Sequence, residues 1–267
     1  MNNPSTQFSR KSWIDACEFH ALDNRQVLDR VIESAHQLAQ GRAAVLLDLD
    51  STLYEVGPRT GHILKEWLAS PESREFPEVR EAVEKLKPEQ VGYSLEDTFV
   101  VLALEAGSGK AQAALQSMKK FWFARFFTNE YLDHDIAYPG AAEFVQELYK
   151  TGIDLIYLTG RDEPGMGIGT RKRLIQDLFP WEQPRTHLLL KKNFELDDLE
   201  HKSAAADYVR GVGTLVASFE NEPPNLIALS DLFEESMHVF VDTVYSERVA
   251  RPKRGLYRIT DYHSFRA

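Results

Sequence analysis

The segment Ala43-Ala44-Val45-Leu46-Leu47-Asp48-Leu49 is apolar at every position but one, and Asp50-Ser51-Thr52 follow it. Apolar side chains on both faces of an extended segment must be covered on both sides. That is the situation of a central strand in a parallel sheet, with helices packed above and below. Such a strand delivers whatever ends it to the rim of the core. Asp48 and Asp50, at i and i+2, therefore reach the sheet edge together.

The remaining pattern agrees with a parallel sheet. Val27, Leu28, Val31, Ile32, Ala35 and Leu38 recur at helical spacing between Asn24 and Gln40, and Gly41 stops that helix. Beyond the turn Tyr138-Pro139-Gly140, the pattern predicts helices over 141–150, 170–179, 201–210 and 225–233. Strands are predicted over 153–158, 187–190, 213–219 and 238–241. Strands alternating with helices predict an α/β fold. Residues 1–23 read as a polar arm laid over the core. From Glu55 to Asp135 the character changes: Trp67, Leu68, Val79, Val83, Phe99, Leu115 and Trp122 keep helical spacings and nothing reads as a strand. This predicts an insertion of about four helices over 55–135, with the core formed by 1–54 and 136–267.

Three predicted strands end in polar clusters: Asp48/Asp50, Thr159/Gly160/Arg161 and Glu220/Asn221. Parallel strands put all three clusters on one edge, where ligands of open α/β sheets bind. Two carboxylates at one site repel each other, and a cation relieves them. An oxygen-only ligand set suits a hard ion such as Mg2+. Glu220 or Asn221 supplies the third oxygen.

At this point the residues resemble those of the haloacid dehalogenase-like hydrolases. Asp48-Leu49-Asp50-Ser51-Thr52 is similar to the family's first motif, Leu158-Thr159-Gly160-Arg161 to its second, His201-Lys202-Ser203 to its third and Phe219-Glu220-Asn221-Glu222 to its fourth. The order matches, over about residues 43–243. The resemblance implies a Rossmann-like three-layer core with a central parallel sheet, and it makes 55–135 a helical cap inserted after the first motif. It also implies roles. Asp48 would be the nucleophile that forms an aspartyl-phosphate. Asp50 would be the general acid and then the base, with its backbone carbonyl on the metal. Thr159 would donate to the phosphoryl group, and Lys202 would neutralise it. Thr52, Gly160 and Arg161 would sit around the phosphate. Asp48, Asp50, Glu220 and Asn221 would hold Mg2+. The acid at Asp50 favours phosphate chemistry over carbon–halogen hydrolysis. The fourth motif departs from the family, which builds it on Asp; here Glu220 is favoured as the ligand and Asn221 comes second. Lys191 and Lys192 rival Lys202 but read as solvated strand-end charges.

Other signals are weaker. A formal net charge of −10 argues against a nucleic-acid partner, and the basic cluster from Arg248 to Arg254 reads as a solvated face. A single cysteine, Cys17, cannot form an internal disulfide, and the N-terminus resembles no secretory signal. No segment has the apolar length of a membrane span, so a cytoplasmic protein with no membrane partner is expected. Gly107-Ser108-Gly109-Lys110 lacks the earlier Gly of a phosphate loop and reads as a turn. Gly165-Met166-Gly167-Ile168-Gly169-Thr170 reads as a flexible loop, with Thr170 capping the helix behind it. Arg161 and Arg171 are assigned either to substrate or to Asp162 and Glu163. Phe121 to Phe127 reads as core; its aromatic density also suits a cap–core contact or a homodimer. The eight histidines show no metal-ligand spacing.

These readings predict a Mg2+-dependent phosphatase for a small phosphorylated metabolite. A phosphotransferase or mutase of the same chemistry, or a weakly catalytic phospho-ligand-binding or scaffold protein, are the alternatives.

Overall fold

The computed structural model describes residues 10–38, 41–87, 90–102 and 109–265. Its strands are β1 (Glu18–Phe19), β2 (Ala43–Leu47), β3 (Tyr54–Glu55), β4 (Ile136–Ala137), β5 (Asp154–Asp162), β6 (Thr186–Lys191), β7 (Thr214–Glu220), β8 (Met237–Val241) and β9 (Arg254–Ile259). Seven of them form one sheet in the order β1-β9-β8-β7-β2-β5-β6, with every neighbouring pair parallel.

β2 lies between β5 and β7 and is buried at all five positions. Its side chains alternate between two cores. Val45 and Leu47 face a cluster built with α2 (Asn24–His36) and α7 (Ala141–Lys150), through Val27, Leu28, Val31, Phe144 and Leu148. Ala44 and Leu46 face Val209 of α10 (Ala206–Val212) and Leu229 of α11 (Pro223–Leu232). This is the α/β three-layer arrangement predicted for a strand apolar on both faces. Burying each leucine contributes about 1.5–3 kcal/mol.

The stretch after β3 is helical: α3 (Gly57–Ala69), α4 (Pro77–Glu84), α5 (Leu95–Val101) and α6 (Gly109–Phe126), with 3-10 turns at Pro71–Glu75 and Asn129–His134. These helices have their own core, centred on Leu64, Trp67, Phe99, Leu115 and Met118. A two-residue ribbon closes the base of the unit, pairing Tyr54 with Ala137 and Glu55 with Ile136. Two residues are too few for an alternation to show in sequence. Of the Gly107–Lys110 stretch, residues 107–108 lie outside the described residues, and Gly109 and Lys110 open α6.

Several expectations are corrected. β5 runs on through Thr159, Gly160 and Arg161 to Asp162, and α8 (Glu163–Gln176) begins at once, so 162–170 is not a flexible loop. Asp162 caps α8 by accepting from the Gly165 N–H at 2.8 Å, and Pro164 occupies the first turn, where its missing N–H costs nothing. Thr170 is buried inside α8 rather than capping it. The helix predicted over 201–210 is two, α9 (Asp198–Ala204) and α10, joined at Ala205. β9 carries only Leu256 and Ile259 into the core, so its pattern is faint in sequence. The N-terminal arm contributes α1 (Arg10–Ala16), with Trp13 buried against Phe240 at 5.0 Å between ring centroids. Among the described residues no helix is long and apolar enough to cross a membrane.

Candidate active site

β2, β5 and β7 are adjacent, so their carboxyl ends bring Asp48, Thr159 and Glu220 to one place. Asp48 extends the ladder by donating its N–H to the Phe219 carbonyl at 3.1 Å. The chain then turns sharply. Ser51 adopts the left-handed region at φ 59, and the N–H groups of Thr52, Leu53 and Tyr54 all return to the Leu49 carbonyl. Asp48 and Asp50 are thereby held on the floor of one cavity while meeting different neighbours.

Asp48 shares a buried lysine with Glu220. Lys202, in the second turn of α9, donates to Asp48 Oδ1 and to Glu220 Oε2, both at 2.6 Å. All three residues are almost fully buried. One cation faces two carboxylates, so negative charge is left over. Burial first, then Glu220, push the Asp48 carboxyl up to about 7 against the pull of Lys202. Burial also raises Glu220, opposed by Lys202. Burial would lower Lys202, but Asp48 and Glu220 outweigh it and keep the ammonium charged far above neutrality.

Asp50 sits in a second cluster that the sequence did not indicate. Its Oδ1 accepts from Arg161 Nη2 at 2.5 Å, from Arg161 Nε at 3.1 Å and from Arg59 Nη2 at 3.1 Å. Asp135 completes the group, accepting from Arg59 at 2.7 and 2.6 Å and from Arg161 at 2.8 Å. The two guanidiniums and two carboxylates balance in charge. Burial favours a neutral Asp50, but Arg161 and Arg59 prevail and hold it below the usual carboxylate range. Arg59 comes from α3 and Asp135 from the last residue before β4, so this cluster ties the helical unit to the core. Arg161 thus pairs with neither Asp162 nor Glu163. Arg171 does pair with Glu163, at 2.9 and 2.8 Å.

The residues that end β7 are also hydrogen-bonded. Both oxygens of Glu220 are engaged: Oε2 by Lys202, and Oε1 by the Glu222 N–H at 3.0 Å. Asn221 donates to the Val244 carbonyl at 2.5 Å, and its Oδ1 accepts from Thr52 Oγ1 at 3.1 Å. Thr159 is fully buried, and its Oγ1 accepts from the Arg161 N–H at 3.3 Å. Lys191 is not a solvated charge. It is buried and donates to the Phe194 and Leu196 carbonyls while pairing with Asp198 at 2.9 Å, which pins the loop before α9.

The Asp48–Lys202–Glu220 chain, Asp50 and Arg161 form the floor of a cavity of about 410 Å3. Asp48, Asp50, Gly160, Arg161, Lys202, Glu220 and Asn221 line it from the core, and Thr60, Tyr93, Trp122, Phe126 and Phe127 from the helical unit. Trp122 was expected in the core; it packs on the core of the helical unit and also walls the cavity, with its indole N–H donating to Thr60 Oγ1 at 3.0 Å. Arg59 and Asp135 escaped sequence analysis because they lie 76 residues apart with no local motif. The one available signal was an arginine one turn into the helix that follows the acidic pair.

Among the described residues no three Asp, Glu, His or Cys side chains form a metal cage. Mg2+ does not require one: it takes one or two carboxylates and keeps waters. The Asp48 carboxylate, the Asn221 amide oxygen and the surplus negative charge beside Lys202 fit such an ion.

Neither a family model nor a curated protein matches the sequence. Solved structures do. A candidate phosphatase from Clostridium difficile superposes with a TM-score of 0.50 at 16% identity, covering 84% of this chain and 97% of that one. A hydrolase described as a haloacid dehalogenase-like family protein, from Streptococcus pneumoniae, gives 0.45 at 12% identity, covering 84% and 96%. The chain therefore shares its overall fold with the Clostridium difficile protein.

Proposed function

We propose that this protein is a Mg2+-dependent phosphatase that hydrolyses a small phosphomonoester through an aspartyl-phosphate on Asp48. The observation that carries the reading is the buried Asp48–Lys202–Glu220 chain at the floor of a cavity, on the carboxyl ends of adjacent parallel strands. Asp48 attacks phosphorus, and the bond to the ester oxygen breaks. Water then attacks the same phosphorus, which releases inorganic phosphate and restores the carboxylate. Lys202 holds Asp48 in place and neutralises the phosphoryl oxygens as charge develops. Gly160 lines the phosphoryl end, and Thr159, buried just behind it, holds the Arg161 N–H at 3.3 Å.

Asp48, the Asp50 carbonyl and Asn221 would hold Mg2+, which supplies neutralisation of the phosphoryl charge. Glu220 is assigned to positioning Lys202, because the ammonium already neutralises its charge at 2.6 Å; the Asn221 amide oxygen accepts only from the neutral Thr52 hydroxyl and keeps a second lone pair for the ion. Asp50 is the acid and base of the cycle. Held by two arginines it is a carboxylate, so protonating the leaving group requires release from at least one of them. Arg59 belongs to the helical unit, and movement of that unit as a cap would supply the release.

The test is phosphate release from benzyl phosphate with and without Mg2+, for the native protein and for Asp48→Asn. Mg2+-dependent release that Asp48→Asn abolishes is the expected result; equal release from the variant would overturn the assignment. The double arginine clamp also favours a second reading, a phospho-ligand-binding protein that turns over slowly. Saturable phosphate-ester binding without release of phosphate would establish that reading instead.

A further inference from the structure

The two ends of the cavity differ in chemistry, and the difference bears on the substrate. Among the described residues that line it, the cations are Arg161 and Lys202. Both sit at the phosphoryl end and both are committed: Arg161 to Asp50 and Asp135, Lys202 to Asp48 and Glu220. The wall from the helical unit contributes no cation. Its one charged lining residue is Glu55, and the core adds Glu222 nearby, together with Asp198, whose charge Lys191 balances at 2.9 Å. A second carboxylate or phosphate on a substrate would face these acids, and none of the described lining residues offers it an uncommitted cation.

Apart from Thr60, whose hydroxyl is taken by the Trp122 indole, the side chains of that wall are aromatic and apolar: Val56, Val91, Tyr93, Trp122, Phe126 and Phe127. The rings are set by their own packing, Trp122 stacking on Phe126 at 4.3 Å and Phe127 meeting Phe126 edge-on at 5.0 Å. Rigid aromatic walls recognise planar rings at little entropic cost.

We infer that the substrate is a phosphomonoester whose leaving group carries an aromatic ring and no second anionic group. The inference rests on the phosphatase reading and narrows it. The ring belongs either to a simple arene or to a nucleobase; both present the same flat, uncharged face. The reaction is ordinary hydrolysis, in which water supplies the oxygen to phosphorus and a proton to the departing alcohol.

The experiment compares kcat/KM, with Mg2+ present, for primary-alcohol esters of similar leaving-group acidity: benzyl, cyclohexylmethyl and 4-carboxybenzyl phosphate, and adenosine 5′-monophosphate. Benzyl phosphate is expected to exceed cyclohexylmethyl phosphate by roughly three- to tenfold. It is expected to exceed 4-carboxybenzyl phosphate by about tenfold or more. A nucleotide better than benzyl phosphate identifies the ring as a base, and a poorer one identifies a simple arene. Trp122→Ala should lower the benzyl advantage over cyclohexylmethyl to about twofold or less. Tyr93→Arg, at a position 44% exposed, should bring 4-carboxybenzyl phosphate to within about threefold of benzyl phosphate. Cyclohexylmethyl or 4-carboxybenzyl phosphate turned over as well as benzyl phosphate would overturn the inference while leaving the phosphatase reading intact. Silence from every ester, with no phosphate on Asp48, would overturn both.

Discussion

Arg161 grips Asp50 through two nitrogens, Nε at 3.1 Å and Nη2 at 2.5 Å, both aimed at one carboxylate oxygen. Arg59 reaches the same oxygen from the helical unit, and Asp135 locks the two guanidiniums together. Arg59 and Asp135 have fully buried side chains, so removing either leaves uncompensated charge. Arg59→Met is expected to cost about 3–5 kcal/mol in urea unfolding, and Arg59→Met combined with Asp135→Leu should recover much of that loss. A single-variant cost below about 1 kcal/mol would mean that the cluster is not intact in solution. Asp50 adds a pH dependence. Its folded-state pKa lies below the ordinary 3.8, so the stability it contributes is present above that value and is lost as pH falls through it.

Asp48 carries the opposite sign. Its carboxyl titrates near 7 when folded against an ordinary 3.8. Between those values the folded protein holds a proton that the unfolded chain has released, so stability falls as pH rises through the window. Asp48→Asn removes this cost and leaves Lys202 paired with Glu220. The variant should be inactive yet more stable than the native protein at pH 7.5 by roughly 2 kcal/mol, and the gain should fade toward pH 4. A variant less stable than the native protein at both pH values would contradict the charge assignment of the cluster.

The metal assignment separates two neighbouring residues. Mg2+ at about a hundred times its Kd should stabilise the native protein by about 2.7 kcal/mol. Asn221→Leu should lose that rise in Tm, because it removes a proposed ligand oxygen. Glu220→Gln should keep it, because Glu220 is engaged by Lys202 and the Glu222 N–H. The reverse pattern would make Glu220 the direct ligand.

Glycine in α8 should behave against its usual sign. In a helix interior Gly→Ala normally stabilises by about 1 kcal/mol. At Gly165, however, a Cβ would come within 2.7 Å of the Phe127 carbonyl, and at Gly169 within 2.6 Å of the Asn129 carbonyl. Both glycines exist for close approach of α8 to the end of the helical unit. Gly165→Ala and Gly169→Ala should each destabilise by about 1–3 kcal/mol in thermal unfolding, and a raised Tm would refute the contact.

What the sequence revealed follows from where each signal lies. β2 and β5 are apolar on both faces, α7 has a clean amphipathic pattern, and its predicted span Ala141–Lys150 is the observed one. Residues at the ends of such elements could be placed on one edge by topology alone, and Asp48, Lys202 and Glu220 do meet there, with Thr159 buried out of the cavity lining. The Asp50–Arg59–Asp135–Arg161 cluster was illegible because its members are joined only through tertiary packing. The β3–β4 ribbon is too short for periodicity, and the glycines of α8 look like loop residues until the backbone they pack against is known. Trp122 could be read as core or as site, and it serves both.

The most direct test of the account is the mass of Asp48 itself. The protein is mixed with excess benzyl phosphate and Mg2+, quenched in acid within milliseconds and digested, and the peptide containing Asp48 is weighed. The account predicts a phosphoryl group on Asp48 that decays as inorganic phosphate appears and is absent in Asp48→Asn. Phosphate released at full rate with Asp48 never modified would contradict it.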